Sequence, residues 1–190
     1  MGSLQLTLAS ASPRRLELLG RLGIAPDAVT PADIDETPHK SELPRDYALR
    51  MGREKALTVH SKGFVLAGDT VVACGRRILP KTETEDEARA CLELMSGRRH
   101  TVLSSIALRA PDCVLKERLS ENVVRMKSLS HEEIDAYIAS GEWKGKAGGY
   151  AIQGAAEGLI QWIKGSHSSI MGLPLYEARA LLKSAGFEIG

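Results

Sequence analysis

Phe64-Val-Leu-Ala-Gly68-Asp69-Thr70-Val71-Val-Ala-Cys74 is the stretch on which the fold turns. Phe64 to Ala67 reads as a buried strand that reaches Gly68-Asp69-Thr70, continues to Cys74, and turns at Gly75 into Ile78-Leu79. A carboxylate inside an apolar run is costly unless it is paired or holds a cation, so Asp69 is expected either near the end of the strand or with a cation beside it. Upstream, Leu4, Leu6 and Leu8 alternate with polar residues as a strand does, and Ser12-Pro13 supplies an N-cap and a first helical proline for a helix to about Leu22. An acidic, proline-bearing connector from Pro31 to Glu42 gives way at Pro44 to a helix running toward Gly63, with Tyr47, Ala48, Met51, Ala56 and Val59 facing inward and Lys55 on the same stripe. Downstream, Thr84-Glu85-Asp86-Glu87 and Ser130-His-Glu-Glu133 are capping boxes that open two helices, ending at Gly97 and Gly141. Between them, His100 to Leu108 and Cys113 to Met126 pair as a hairpin across Pro111-Asp112. Leu159 to Ile163 reads as a strand and Pro174 to Ser184 as a last helix. Interleaved helices and strands of this kind predict an α/β fold, one mixed sheet flanked by helices, in a single domain spanning residues 1–190.

Composition narrows the function. With 25 Lys and Arg against 24 acidic residues, a net charge of +1 provides no broad field for nucleic acid or an anionic membrane, so any anion site must be local. Cys74, Cys91 and Cys113 are odd in number and lack ligand spacing, which argues against a disulfide framework or zinc centre and fits a reducing cytoplasm. The first residues lack the pattern of a signal peptide, and no apolar run is long enough to span a bilayer.

Four features could carry chemistry, each with an ordinary reading beside it. Ser10-Ala-Ser12-Pro13-Arg14-Arg15 would bring a helix N-terminus and two guanidiniums together for a polyphosphate, or be a capped helix with two solvated arginines. Asp69-Thr70 would be a site carboxylate or a structural turn, and as a hard ligand without nearby histidines it favours magnesium or manganese over zinc. Lys55 would reach a ligand or snorkel over the core, while Lys81 and Glu36 could be solvated loop charges. The glycine-rich Lys144 to Gly154 stretch allows close backbone approach, and the amide of Gln153 can both donate to and accept from a pyrimidine edge. The loop matches neither the phosphate-loop nor the dinucleotide pattern.

Taken in order, these features resemble the Maf family, also called septum-formation-inhibitor-like proteins. The resemblance rests on Ser10-Ala-Ser-Pro-Arg-Arg15, Arg53-Glu-Lys55-Ala56, Gly68-Asp69-Thr70-Val71, Leu94-Met-Ser-Gly97 followed by His100, Lys146-Ala-Gly-Gly-Tyr-Ala-Ile-Gln-Gly154, and Met171-Gly-Leu-Pro174. It implies a fold similar to that of inosine triphosphate pyrophosphatases, with a deep cleft beside an elongated mixed sheet, and hydrolysis of nucleoside triphosphates to monophosphate and pyrophosphate. By the same resemblance, Asp69 is the catalytic acid and shares a divalent metal, magnesium or manganese, with Glu36. Ser10, Arg14, Arg15, Lys55 and Lys81 line the triphosphate, and Arg14, Thr70 and Gln153 bear on substrate choice in the manner of the dTTP and UTP branch. The family's lysine is usually followed by proline, whereas here Pro80 precedes Lys81 and Thr82 follows it. A homodimer is implied as well, although the sequence offers no helical seam of its own for one. The rival readings are a pyrophosphatase for other, non-canonical nucleotides and a nucleotide-binding regulator of septum formation without turnover.

Overall fold

A computed structural model describes residues 5–187 and 189. Its centre is β3 (Phe64–Cys74), an eleven-residue strand buried along most of its length. One edge of β3 pairs antiparallel with β5 (Arg99–Arg109) from Val65 to Ala73. The other edge is shared: β1 (Leu6–Ala9) runs parallel to it from Phe64 to Ala67, and β4 (Arg77–Leu79) runs antiparallel from Val72 to Cys74. Between those two partners, residues 68–71 have no neighbouring strand on that side, so the sheet opens where Asp69 stands. β6 (Leu115–Met126), β7 (Ile160–Lys164) and the two-residue β2 (Ala28–Val29) complete a seven-stranded mixed sheet in the order β2-β1-β3-β5-β6-β7, with β4 off that path. The expected mixed α/β sheet with flanking helices is therefore present.

Helices cover both faces. On one face lies α2 (Pro44–Thr58), whose Tyr47, Ala48, Met51 and Ala56 are buried against β3 and β5. Gly52 lets this helix come close, because a Cβ there would sit 2.6 Å from the Ser105 hydroxyl of β5. The opposite face carries the larger core, where α1 (Pro13–Gly20), α3 (Glu85–Met95), α4 (His131–Ser140), α5 (His167–Met171) and α6 (Leu175–Ser184) pack around residues such as Leu8, Leu66, Leu92, Ile106 and Leu181. Both capping boxes form as read, Thr84 with Glu87 and Ser130 with Glu133, each satisfying the N–H of the cap residue and that of the glutamate at the start of α3 and α4.

Several sequence expectations are corrected. Ser12 occupies the N-cap position of α1, but its side chain caps nothing. Instead the Ser10 hydroxyl accepts the Ser12 N–H at 3.1 Å. That helix ends at Gly20 rather than near Leu22, and α2 ends at Thr58 rather than toward Gly63, because Val59 turns extended to enter the core beside Val65. The strand read around Leu6 and Leu8 is β1, which lies between β2 and β3 and is buried from Leu6 to Ala9, Thr7 included, while Leu4 lies outside the described residues. The short β2, α5 and a 3-10 turn at Ala155–Leu159 were not read from the sequence. No helix among the described residues is long and apolar enough to cross a membrane.

Candidate active site

The opening beside residues 68–71 is the floor of a cleft of about 390 Å³. Lining it are Ser10, Arg14, Arg15, Glu36, Lys55, Asp69, Thr70, Lys81 and Gln153, which are all of the residues that the sequence singled out. They reach it from both faces of the sheet. Asp69 pairs across the ladder with Ser105 on the α2 face, while Thr70 pairs with Ser104 on the other. Only an unpaired strand edge lets both side chains border one space.

On the α2 face Lys55 does not snorkel. It is buried, and its Nζ donates to Asp69 Oδ1 at 2.7 Å and lies 2.7 Å from Glu36 Oε1. Lys81 contacts the second oxygen of Glu36. The four form a chain, Asp69 to Lys55 to Glu36 to Lys81, in which each buried charge meets an opposite one. Burial raises the Glu36 carboxyl, but bonds from Lys55 and Lys81 outweigh it and hold the group below the usual carboxylate range. Glu36 gets there because the irregular connector is fastened to α2. Tyr47 Oη donates to the Glu36 carbonyl at 2.7 Å, and Arg50 bonds both the Thr37 carbonyl at 3.0 Å and Glu42 at 2.7 Å. Arg50 pulls the Glu42 carboxyl down to about 2.

Lys81 owes its aim to a backbone bridge with Ala147. Beside it, Thr82 is fully buried and donates to the Trp143 carbonyl at 2.8 Å. A proline at position 82 could not donate the N–H that Thr82 gives to the Lys146 carbonyl at 3.1 Å, so the unusual order Pro80-Lys81-Thr82 fits this pairing.

On the other face Arg15 acts as a tie. Its Nε donates to the Gly172 carbonyl at 2.8 Å, one terminal nitrogen to Ser10 Oγ at 3.1 Å and the other to Thr70 Oγ1 at 3.3 Å. Gly172 can present that carbonyl because it follows α5 at φ 134°, which explains the Met171-Gly-Leu-Pro174 motif. Burial lowers the proton affinity of the Arg15 guanidinium, with Asp69 and Glu36 acting against it. Arg14, beside it, is lowered by burial and then by Arg15. Gln153 is exposed at the mouth of the cleft.

Two cleft residues escaped the reading of single motifs. Lys146 lines the wall within the glycine-rich stretch. Tyr150, also in the wall, is anchored by its hydroxyl, 2.8 Å from Nε2 of the buried His100. The signal for both was their place in the same two motifs, Lys146 to Gly154 and His100 after Gly97.

The sequence profile described as Maf-like protein matches residues 5–185. Among similar chains is the dTTP/UTP pyrophosphatase of Zymomonas mobilis, 60% identical over 187 residues that cover 97% of this chain and 93% of that one. The dTTP/UTP pyrophosphatase of Novosphingobium aromaticivorans is 59% identical over 188 residues, covering 97% and 94%. Among solved structures, a HAM1 protein from Coxiella burnetii superposes with a TM-score of 0.51 at 19% identity, over 96% of this chain and 100% of that one. That last likeness is one of fold.

Proposed function

Because the chain belongs to the Maf family, we infer that it is a nucleoside triphosphate pyrophosphatase acting on dTTP and UTP, which it cuts between the α- and β-phosphates. One observation carries the reading. Five basic side chains and two carboxylates, drawn from distant parts of the chain, border a single cleft and leave a positive surplus there in a protein whose net charge is +1. A local surplus of that kind, with forked guanidiniums, suits a polyphosphate.

In this reading a water attacks the α-phosphorus in line. The new P–O bond forms as the bond to the bridging oxygen breaks, the electron pair leaves on pyrophosphate, and the water's proton passes to the Asp69 carboxylate. Lys55 holds Asp69 and Glu36 side by side, and Lys81, Arg14 and Arg15 stabilise the charge that moves onto the leaving group. Magnesium or manganese fits the donors that Glu36 and Asp69 offer. Both are hard oxygens, and such ions ordinarily complete their shell with phosphate oxygens and water. When bound, the ion supplies charge neutralisation on the phosphate oxygens. Gln153 reads the pyrimidine edge through its amide, with Thr70 and Arg14 shaping the approach.

Product analysis of the purified protein with UTP, dTTP, CTP and 7-methyl-GTP, in magnesium or manganese, tests this function. The expected result is monophosphate plus pyrophosphate, fastest from UTP and dTTP. Release of inorganic phosphate with a nucleoside diphosphate, or tight nucleotide binding without any product, overturns it.

A further inference from the structure

We propose that Lys146 is a further substrate-binding residue, which together with Arg14 clamps the phosphate chain of the nucleotide. The proposal rests on the pyrophosphatase reading above and adds a residue to it. Among the cleft's basic groups, Lys55 and Lys81 are committed to Asp69 and Glu36, and Arg15 is spread over Gly172, Ser10 and Thr70. Arg14 and Lys146 are different. Both line the cleft, and neither forms an ion pair with a described residue.

The backbone of Lys146 is also held at the cleft wall. The residue is half-buried, and its Nζ donates to the Lys144 carbonyl at 2.9 Å, a neutral partner that leaves ammonium hydrogens for a ligand. Its backbone is pinned against the Pro80–Thr82 segment: Gly145 N–H bonds the Thr82 carbonyl at 2.9 Å, and Gly148 N–H bonds the Pro80 carbonyl at 2.9 Å. At Gly148 the chain has φ 67° and lies so close to Val72 that a Cβ would fall 2.8 Å from its side chain, which fixes the turn further. Burial, and then the charge of Arg14, hold the Lys146 ammonium below the ordinary lysine range. Glu142 pulls the other way, but it gives an oxygen to the Ala155 N–H at 2.9 Å. Two like charges kept near each other by a rigid frame destabilise that frame, and an oxyanion between them relieves the repulsion. A phosphate chain supplies such oxyanions, whereas a neutral nucleoside does not.

The test compares Lys146→Met and Lys146→Arg with the unaltered protein by calorimetric titration of uridine and of α,β-imido-UTP, an analogue that cannot be cut at the α–β bond. Lys146→Met is expected to weaken the analogue about 10-fold, the loss of one charged hydrogen-bonding partner, and to leave uridine binding unchanged. Lys146→Arg, which keeps the charge, is expected to stay within about threefold. Without ligand, Lys146→Met should unfold at the same temperature or higher, because a like charge has been removed. A purely structural lysine would instead lower it. Unchanged analogue binding in Lys146→Met, or an equal loss for uridine and analogue, overturns the clamp alone. Failure of the unaltered protein to bind the analogue overturns the pyrophosphatase reading itself.

Discussion

Two buried polar clusters lie on opposite faces of the same sheet, and they are built on different rules. On the α2 face, Asp69, Lys55 and Glu36 carry full charges, each within 2.7 Å of its partner. On the other face, His100 and Tyr150 meet through one neutral hydrogen bond of 2.8 Å, and His100 Nδ1 has no partner among the described residues. The first cluster borders the gap between β1 and β4, where water or a ligand can share the cost of burying charge. In the second, Tyr150 reaches the cleft wall but its hydroxyl turns inward to His100, which is buried within the sheet, and there a neutral pair is kept. Charge in this protein is concentrated where the sheet is open.

The comparison can be broken most severely at Asp69. Asp69→Asn keeps the size of the side chain but removes the proton acceptor, so pyrophosphate release should fall about 10³-fold while the circular dichroism spectrum is unchanged. Lys55→Met attacks the same cluster through stability. It leaves the buried carboxylate of Asp69 without its cation and the half-buried Glu36 with Lys81 alone, and chemical denaturation should show a loss of ~3 kcal/mol, partly restored when Asp69→Asn is added.

The neutral cluster answers to pH instead. Burial holds the His100 imidazole down to about 4, against 6.5 ordinarily, so below pH 6.5 the unfolded chain takes up the proton first. The stability present above that pH is lost as pH falls toward 4, by about 3 kcal/mol, and urea midpoints across this window should fall less steeply in His100→Gln. The smallest effect belongs at the cleft mouth. Gln153→Glu removes the amide donor from an exposed position, and the preference for UTP over other triphosphates, read as a ratio of kcat/KM, should drop about tenfold.

What could be read from the sequence was local or patterned. Each capping box lies within four residues, so Thr84 with Glu87 and Ser130 with Glu133 were legible from spacing alone. The inward stripe of α2 was legible for the same reason, and it placed Lys55 on the correct face. Where Lys55 ends was not legible, because that depends on Glu36 in an irregular connector and on Asp69 across a helix-to-sheet contact. Site membership came from motif resemblance rather than from any one residue's chemistry. The misses were elements held by their neighbours: β2 is two residues bonded to β1, and α5 is a single turn whose Ser166 cap looks like any serine in a polar loop. Lys146 is indistinct within its motif, since only the fold reveals that it lines the same cleft as Arg14 with no ion-pair partner among the described residues.

The interruption between β1 and β4 has a consequence for solvent exchange. Every second backbone amide along residues 68–71 faces the gap rather than a partner strand, although the same strand is locked on its other edge by β5. Deuterium should therefore enter the middle of the most central strand sooner than its two ends. A molecule seated in the cleft would slow that uptake, so the strand at the heart of the sheet doubles as a gauge of occupancy.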